Sequence, residues 1–419
     1  MNLKYKRKII NDPVYGFIDI PFALVFEIIE HPYFQRLTRI KQLGLTYMVY
    51  PGAQHSRFQH SLGALHLMTS CISTLREKGI DINQEEAEAV SIAILLHDIG
   101  HGPFSHALEQ SLIEGISHED LSRVFMEELN EEFSGRLDLA IKIFNNQYKK
   151  KFLHQLVSGQ LDMDRLDYLR RDSFFTGVSE GTIGSDRIIK MMNVVDDNLV
   201  IDVKGIYSVE KFLIARRLMY WQVYLHKTVQ SAEFLLVKTL CRAIELAQNG
   251  EEVYGTPALK FFLYQNINHS SVFTKKSVWK TRDIIKNFAL LDDSDIISSA
   301  KVWAEGEDIV LQLLSRRLID RELFRVELSD KPFSGKSIQL IKDWVVNEYN
   351  VEKEHARYFV FSEMISNYAF DPSDHNVQIL NKDGGLHDIG EVSDILNTRV
   401  LSMKVKKYCL CYPKKYRQN

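Results

Sequence analysis

Histidines and aspartates collect at three places in this 419-residue chain. The first is His55-Ser56-Arg57-Phe58-Gln59-His60-Ser61-Leu62-Gly63. The second is Leu95-Leu96-His97-Asp98-Ile99-Gly100-His101-Gly102-Pro103-Phe104-Ser105-His106, with His118-Glu119-Asp120 shortly after. The third is Asp162-Met163-Asp164-Arg165-Leu166-Asp167-Tyr168-Leu169-Arg170-Arg171-Asp172. A charged carboxylate or imidazole is costly to bury alone unless it is paired or holds a metal. An adjacent His-Asp at the end of an apolar run therefore calls for a partner, and a divalent cation meets the need. Two imidazoles and two carboxylates suit Mn, Fe, Co, Ni or Zn and tolerate Mg. An expanded coordination sphere leaves room for water and a phosphate oxygen, and such an ion lowers the pKa of water and offsets phosphoryl charge.

Helices must position these groups. The run from Glu85 to Leu96 opens with Glu85, Glu86 and Glu88, where carboxylates favour a helix N-terminus. It continues apolar almost all round, which predicts a buried helix that delivers His97 and Asp98 into the interior. Gly100, Gly102 and Pro103 then force a turn. Asp164, Tyr168 and Asp172, at i, i+4 and i+8, share one helical face. From about residue 21 to 249 the apolar spacing is helical, apart from a hairpin over about 194–203 built around Asp196-Asp197-Asn198. Helical patterning resumes over about 209–247, and the turn-rich stretch 250–256 reads as a seam. Beyond it, 261–319 is mostly helical, while Leu323 to Leu328 and the terminal 400–412 read as strands. The expected fold is mainly α. A helical catalytic body spans 1–249, with its metal site within 57–172, and a smaller C-terminal helical and α+β region spans 250–419.

The ordered series resembles the HD-domain phosphohydrolase superfamily, whose pattern is His…His-Asp…Asp. More narrowly it resembles the deoxynucleoside triphosphate triphosphohydrolase branch. Supporting segments are Phe34-Gln35-Arg36-Leu37, Ile40-Lys41-Gln42-Leu43-Gly44 and Tyr50-Pro51-Gly52-Ala53, together with the three clusters. The likeness is dense over roughly 11–236 and thin afterwards. It implies one divalent metal ion held by His60, His97, Asp98 and Asp164. It places Arg57, Arg165 and Arg216 at the phosphates, with Arg165 standing where relatives often have Lys. His101 and His106 fall on active-site histidines, Glu109 on a residue that orients an imidazole, and His118 on the edge of the site. Gln42 and Asp172 match groups at the sugar 3′-hydroxyl, Tyr168 an aromatic hydroxyl along the groove, and Tyr224 the ring under C2′ that disfavours a ribose hydroxyl. The implied reaction is hydrolytic attack on the α-phosphorus, giving a deoxynucleoside and inorganic triphosphate, with His106 as the acid, Glu109 behind it and His101 assisting. The branch also implies a homo-dimer or homo-tetramer. A mammalian member is activated by guanine nucleotide through Asp, Gln and Arg. The matching positions here are Glu30, Gln35 and Thr38, so that activation does not carry over, although a nucleotide activator stays open as a partner.

Other readings of these residues stand beside the resemblance. Arg57 can serve as a structural ion-pair partner, Glu109 as a solvated helix residue and His118 as a helix cap, while His31, His55, His66, His154 and His226 read as structural. The alternatives for function are an HD-type nucleotide phosphatase or phosphodiesterase on another phosphoester, and a nucleotide-sensing or single-stranded-nucleic-acid-binding regulator. A formal charge of −3 argues against a general nucleic-acid binder. The basic run Lys149-Lys150-Lys151 reads as a solvated face. Four cysteines make no disulfide framework, with Cys409 and Cys411 read as strand residues, and no apolar run approaches membrane-spanning length. These features predict a soluble cytoplasmic protein.

Overall fold

The computed structural model describes residues 8–104, 111–113, 115–267, 281–367, 377–394 and 405–416. Helices dominate it, with small sheets at the edges, so the expected mainly-α class holds. The helix ends are written in the sequence. Ser56 and Gln59 form a reciprocal capping box that starts α1 (Arg57–Glu77). Asn83 and Glu86 do the same for α2 (Gln84–Leu96), and Ser117 and Asp120 for α3 (His118–Glu132). Ser117 is thus the cap, and His118 is the first helical residue. Asp162 caps α4 (Met163–Thr176) by accepting the Arg165 amide at 2.7 Å, and Gly177, at φ 74°, ends it.

Helices α1, α2 and α4 pack into a common core through residues such as Leu65, Met68, Leu95 and Leu166. The α1–α4 crossing is close because Gly63 has no side chain. A Cβ there would lie 2.0 Å from Asp167 Oδ1 and 2.3 Å from an Arg171 terminal nitrogen. Gly100 plays the same part after α2, where a Cβ would lie 2.2 Å from the His118 carbonyl and 2.3 Å from the Ser122 amide.

The structure departs from the expected single helical run over 209–247. Helix α5 (Ile206–Met219) widens into a π turn at Tyr220–Tyr224, in which the Leu225 amide bonds the Tyr220 carbonyl at 2.7 Å. Helix α6 (Lys227–Gln248) starts afresh with His226 as its cap. Apolar periodicity continues through the junction, so the extra residue of the π turn leaves no mark in the pattern.

Among the described residues three sheets flank the helices. Strands β1 (Lys8–Asp12) and β2 (Gly16–Ile20) form an N-terminal hairpin that the sequence pattern did not announce. Strands β3 (Met192–Val195) and β4 (Asn198–Asp202) lie where a hairpin is expected, with Asp196 and Asp197 both at positive φ in the turn. Strand β5 (Arg325–Ser329) pairs antiparallel with β9 (Val405–Tyr412), which also pairs with β6 (Phe361–Asn367). Cys409 and Cys411 lie buried on β9. Strand β4 pairs parallel with β7 (Gln378–Leu380), itself antiparallel to β8 (Leu386–Asp388), so late residues complete the sheet begun by the 192–202 hairpin.

Candidate metal centre and active site

Helix α1 brings His60, the end of α2 brings His97 and Asp98, and the first turn of α4 brings Asp164. His60 Nε2 lies 3.3 Å from His97 Nε2 and 3.1 Å from Asp164 Oδ1, and His97 Nε2 lies 3.4 Å from the same oxygen. The Asp98 carboxylate adjoins them at 3.3 Å from His97 Nε2 and 3.8 Å from His60 Nε2. Donors separated by this much can share a cation at about 2.1 Å from each.

Tautomer chemistry supports the fit. His60 Nδ1 bonds Asp167 at 2.7 Å, and His97 Nδ1 bonds the Ile94 carbonyl at 2.6 Å. Both acceptors require a proton on Nδ1, which leaves two Nε2 lone pairs aimed at one another beside a carboxylate. Such a nest favours positive charge. Burial opposes a charged His60, yet Asp164 and Asp167 outweigh it and push its pKa up to about 10. His97 is raised against burial by Asp98 and Asp164. Burial works against the ionised Asp164, and the two imidazoles more than reverse it, holding Asp164 well below the usual carboxylate range. His60, His97 and Asp164 can therefore hold a divalent metal.

Arg57 bonds the Asp98 carboxylate in a buried, short contact, and His101 Nε2 lies 3.3 Å from its other oxygen. Burial, reinforced by Arg57, pushes the His101 pKa well down, so this imidazole is neutral at pH 7. His101 stacks on His118 with centroids 3.9 Å apart. Their turn is held from below by Arg36, fully buried, which donates to the carbonyls of Ile99 and His101. His106 and Glu109 lie outside the described residues.

At the other end of the α4 face, Asp172 accepts the Tyr224 hydroxyl at 2.7 Å and bonds His55 Nε2 at 2.8 Å. His55, read as structural, thus supports the Asp172 carboxylate from a distant segment. It lies 117 positions from Asp172, and no local pattern could reveal the contact. Tyr168 meets Tyr224 edge-on at 6.1 Å, and the π turn carries Tyr224. Desolvation, and for Tyr224 the Asp172 charge, raise both tyrosine pKa values, so both stay hydroxyls. The Gln42 side-chain oxygen is buried and finds no partner among the described residues. Arg216 reaches Gln160 at 3.3 Å, while Arg165 bonds Asp162 and the Gly159 carbonyl. Asp167 is a further member that sequence reading passed over, although its i, i+4 spacing to Arg171 was a signal.

Known proteins share this arrangement of sequence and fold. The HD domain family model matches residues 57–172, and the HD associated region matches 183–255. The chain is 32% identical over 375 residues to the uncharacterized protein YwfO of Bacillus subtilis, a match spanning 88% of this chain and 78% of that one. It is 30% identical over 331 residues to the deoxynucleoside triphosphate triphosphohydrolase SAMHD1 homolog of Dictyostelium discoideum, spanning 72% of this chain and 64% of that protein. The crystal structure of a phosphohydrolase from Bacteroides thetaiotaomicron superposes with a TM-score of 0.94 at 55% identity, covering 98% of this chain and all of the other.

Proposed function

The chain belongs to the HD-domain phosphohydrolase superfamily, and from that premise we propose that it hydrolyses deoxynucleoside triphosphates at the α-phosphorus. The observation that carries the reading is the bond from Tyr224, on the π turn, to Asp172 on the helix that also bears Asp164. Eight residues of helix set a donor of the metal nest and a polar-aromatic corner about 12 Å apart on one face. That is room for a phosphoryl group at one end and a sugar at the other. The likeness to a relative named as a deoxynucleoside triphosphate triphosphohydrolase supports the same substrate class.

A divalent ion held by His60, His97, Asp98 and Asp164 would draw charge from a phosphoryl oxygen and make water more acidic. The chain's own groups do the rest. Arg57 keeps the Asp98 carboxylate turned toward the nest. Arg165 and Arg216 exchange their contacts with Asp162, Gly159 and Gln160 for triphosphate oxygens, offsetting charge where it grows. The new bond joins the water oxygen to the α-phosphorus, the bond from that phosphorus to the 5′-oxygen breaks, and the departing oxygen takes a proton. In this reading His106 supplies that proton, with neutral His101 on its stack with His118 assisting. The buried oxygen of Gln42 accepts the 3′-hydroxyl, and the Tyr224 ring leaves no room for a 2′-hydroxyl. The working form in this reading is a cytoplasmic homo-dimer or homo-tetramer.

The test is product analysis by ion-exchange chromatography. The purified chain is incubated with each dNTP, each NTP and a dNTP mixture under Mg, Mn and Co in turn, with Asp98→Ala as control. Deoxynucleoside with intact triphosphate, lost in the variant, is the expected result. Monophosphate or stepwise phosphate release overturns the reading in favour of another HD-type phosphoester hydrolase. Turnover only in a nucleotide mixture would add an activator to the scheme.

A further inference from the structure

We propose that Asp167, Arg171 and Asp12 form a positioning relay for His60, which makes the N-terminal hairpin a working part of the metal centre. The proposal rests on His60 being a metal ligand. Four side chains stand in a row: His60 Nδ1 to Asp167 Oδ2 at 2.7 Å, Asp167 to Arg171 through two bonds of 2.9 and 3.1 Å, and Arg171 to Asp12 through two more of 2.8 and 3.3 Å. His60, Asp167 and Arg171 have no exposed surface, and Asp12 is 7% exposed. Asp12 ends β1, and its Oδ1 also accepts the amides of Val14 and Tyr15 at 2.9 and 3.0 Å, so the hairpin turn itself anchors the row.

Each link has a physical reason. An imidazole that offers Nε2 to a cation must carry its proton on Nδ1, and the acceptor at Nδ1 fixes both tautomer and ring orientation. For His60 that acceptor is a carboxylate buried in the core, which cannot stand there unpaired. Arg171 clamps both its oxygens with a planar fork, a geometry Lys could not supply. The guanidinium is buried too, and its remaining edge is met only by bringing in Asp12 from the hairpin. Two carboxylates and one guanidinium leave one net negative charge against the Nδ1 edge of His60, which strengthens Nε2 as a donor. Gly63 supplies the space, since any side chain there would strike Asp167 and Arg171.

The two histidines differ in a way that a general stabilising network does not explain. His97 has its tautomer fixed by the Ile94 carbonyl of its own helix. His60 instead depends on residues drawn from α4, 107 positions after it at Asp167, and from β1, well before it. A network serving only to hold the hairpin down had no need to end on the Nδ1 of a metal-facing imidazole.

The experiment measures Mn(II) affinity by calorimetry and electron paramagnetic resonance on the chelator-stripped full chain. The variants are Asp167→Asn and Asp12→Asn, with Asp202→Asn at the distant Lys78 ion pair as control. Circular dichroism checks that each variant is folded at the measuring temperature. Nitrogen NMR of labelled histidines reads the His60 tautomer. The expected result is a loss of roughly 10-fold or more in affinity for Asp167→Asn and about threefold for Asp12→Asn, with a mixed His60 tautomer and an unchanged control. Melting temperatures that fall while Mn(II) affinity stays within about twofold of the parent would overturn the relay and leave a structural network. Should Asp167→Asn not fold, the milder Asp12→Asn, which keeps the turn acceptor, decides. A parent chain that binds none of Mn(II), Co(II) or Mg(II) overturns the metal assignment itself, an outcome distinct from failure of the relay.

Discussion

Two imidazole nitrogens facing each other at 3.3 Å are the most informative single feature of the molecule. Their partners on the far side of each ring dictate lone pairs on the near side, and only positive charge reconciles them. The same economy runs through the other end of the α4 face, where the Asp172 carboxylate is divided between His55 and Tyr224. Removing one donor there leaves a buried carboxylate oxygen short of a partner, at a cost of about 1–3 kcal/mol. Under the proposed function, His55→Ala should therefore lower the melting temperature and also raise KM for dNTPs, because Asp172 would be freed to swing away from the proposed sugar position. A lowered melting temperature with unchanged KM would return His55 to a structural role. If Tyr224 lies under C2′ as proposed, Tyr224→Ala should lower the preference for dATP over ATP in kcat/KM by about 10-fold. An unchanged ratio would remove Tyr224 from sugar discrimination.

Elements matter here through their ends and their closest approaches. His97 and Asp98 follow the last turn of α2, and their turn is locked against α3, with the Gly100 amide bonding Ser122 Oγ at 2.9 Å and that hydroxyl bonding the His97 carbonyl at 2.7 Å. Gly100→Ala would drive a methyl into the α3 backbone. It should cost about 1–3 kcal/mol in urea unfolding and weaken metal binding as His97 is displaced. Full stability in that variant would mean α3 can retreat without harm. The 192–202 hairpin was legible as apolar stretches around Asp-Asp-Asn, whereas the caps Ser56, Asn83, Ser117 and Asp162 emerge only in the structure, where Ser117 takes the capping role read for His118. The structure brings His60, His97 and Asp164 together, and the ordered His, His-Asp and Asp clusters were legible through their resemblance to a family pattern. The N-terminal hairpin was not, since Lys8–Asp12 and Gly16–Ile20 are five residues each and too short for a clear alternation. The three-residue strands β7 and β8 fall further below that limit. The contacts of Asp167 with His60, of Arg36 with the 99–101 carbonyls and of His55 with Asp172 were hidden because each joins segments far apart in sequence, where no periodicity operates.

The molecule as a whole ties its later half to the site through Asp293, the first residue of a helix over Asp293–Trp303. Its carboxylate accepts the amides of Lys41 at 2.9 Å and Phe104 at 3.1 Å, next to the segments that carry Gln42 and His101. Burial pushes the Asp293 pKa up to about 6, although both amides and the Lys41 charge act the other way. Its folded value thus exceeds the unfolded one, so the folded state holds this proton more tightly. The contribution to stability is greatest when the carboxyl is protonated and declines as pH rises from about 4 through 6. The margin in unfolding free energy between the parent and Asp293→Asn should accordingly shrink by about 1–2 kcal/mol from pH 5 to pH 7.5. A margin independent of pH would show that Asp293 ionises normally. Among the described residues no helix is long and apolar enough to cross a membrane.

The most direct test of the central claim follows the oxygen of water. The chain, supplied with Mn(II), is incubated with a dNTP in water enriched in oxygen-18, and both products are analysed by mass spectrometry. Attack at the α-phosphorus predicts one heavy oxygen in an intact triphosphate and none in the deoxynucleoside. Label in the deoxynucleoside, or in orthophosphate or pyrophosphate released in place of triphosphate, would contradict the account.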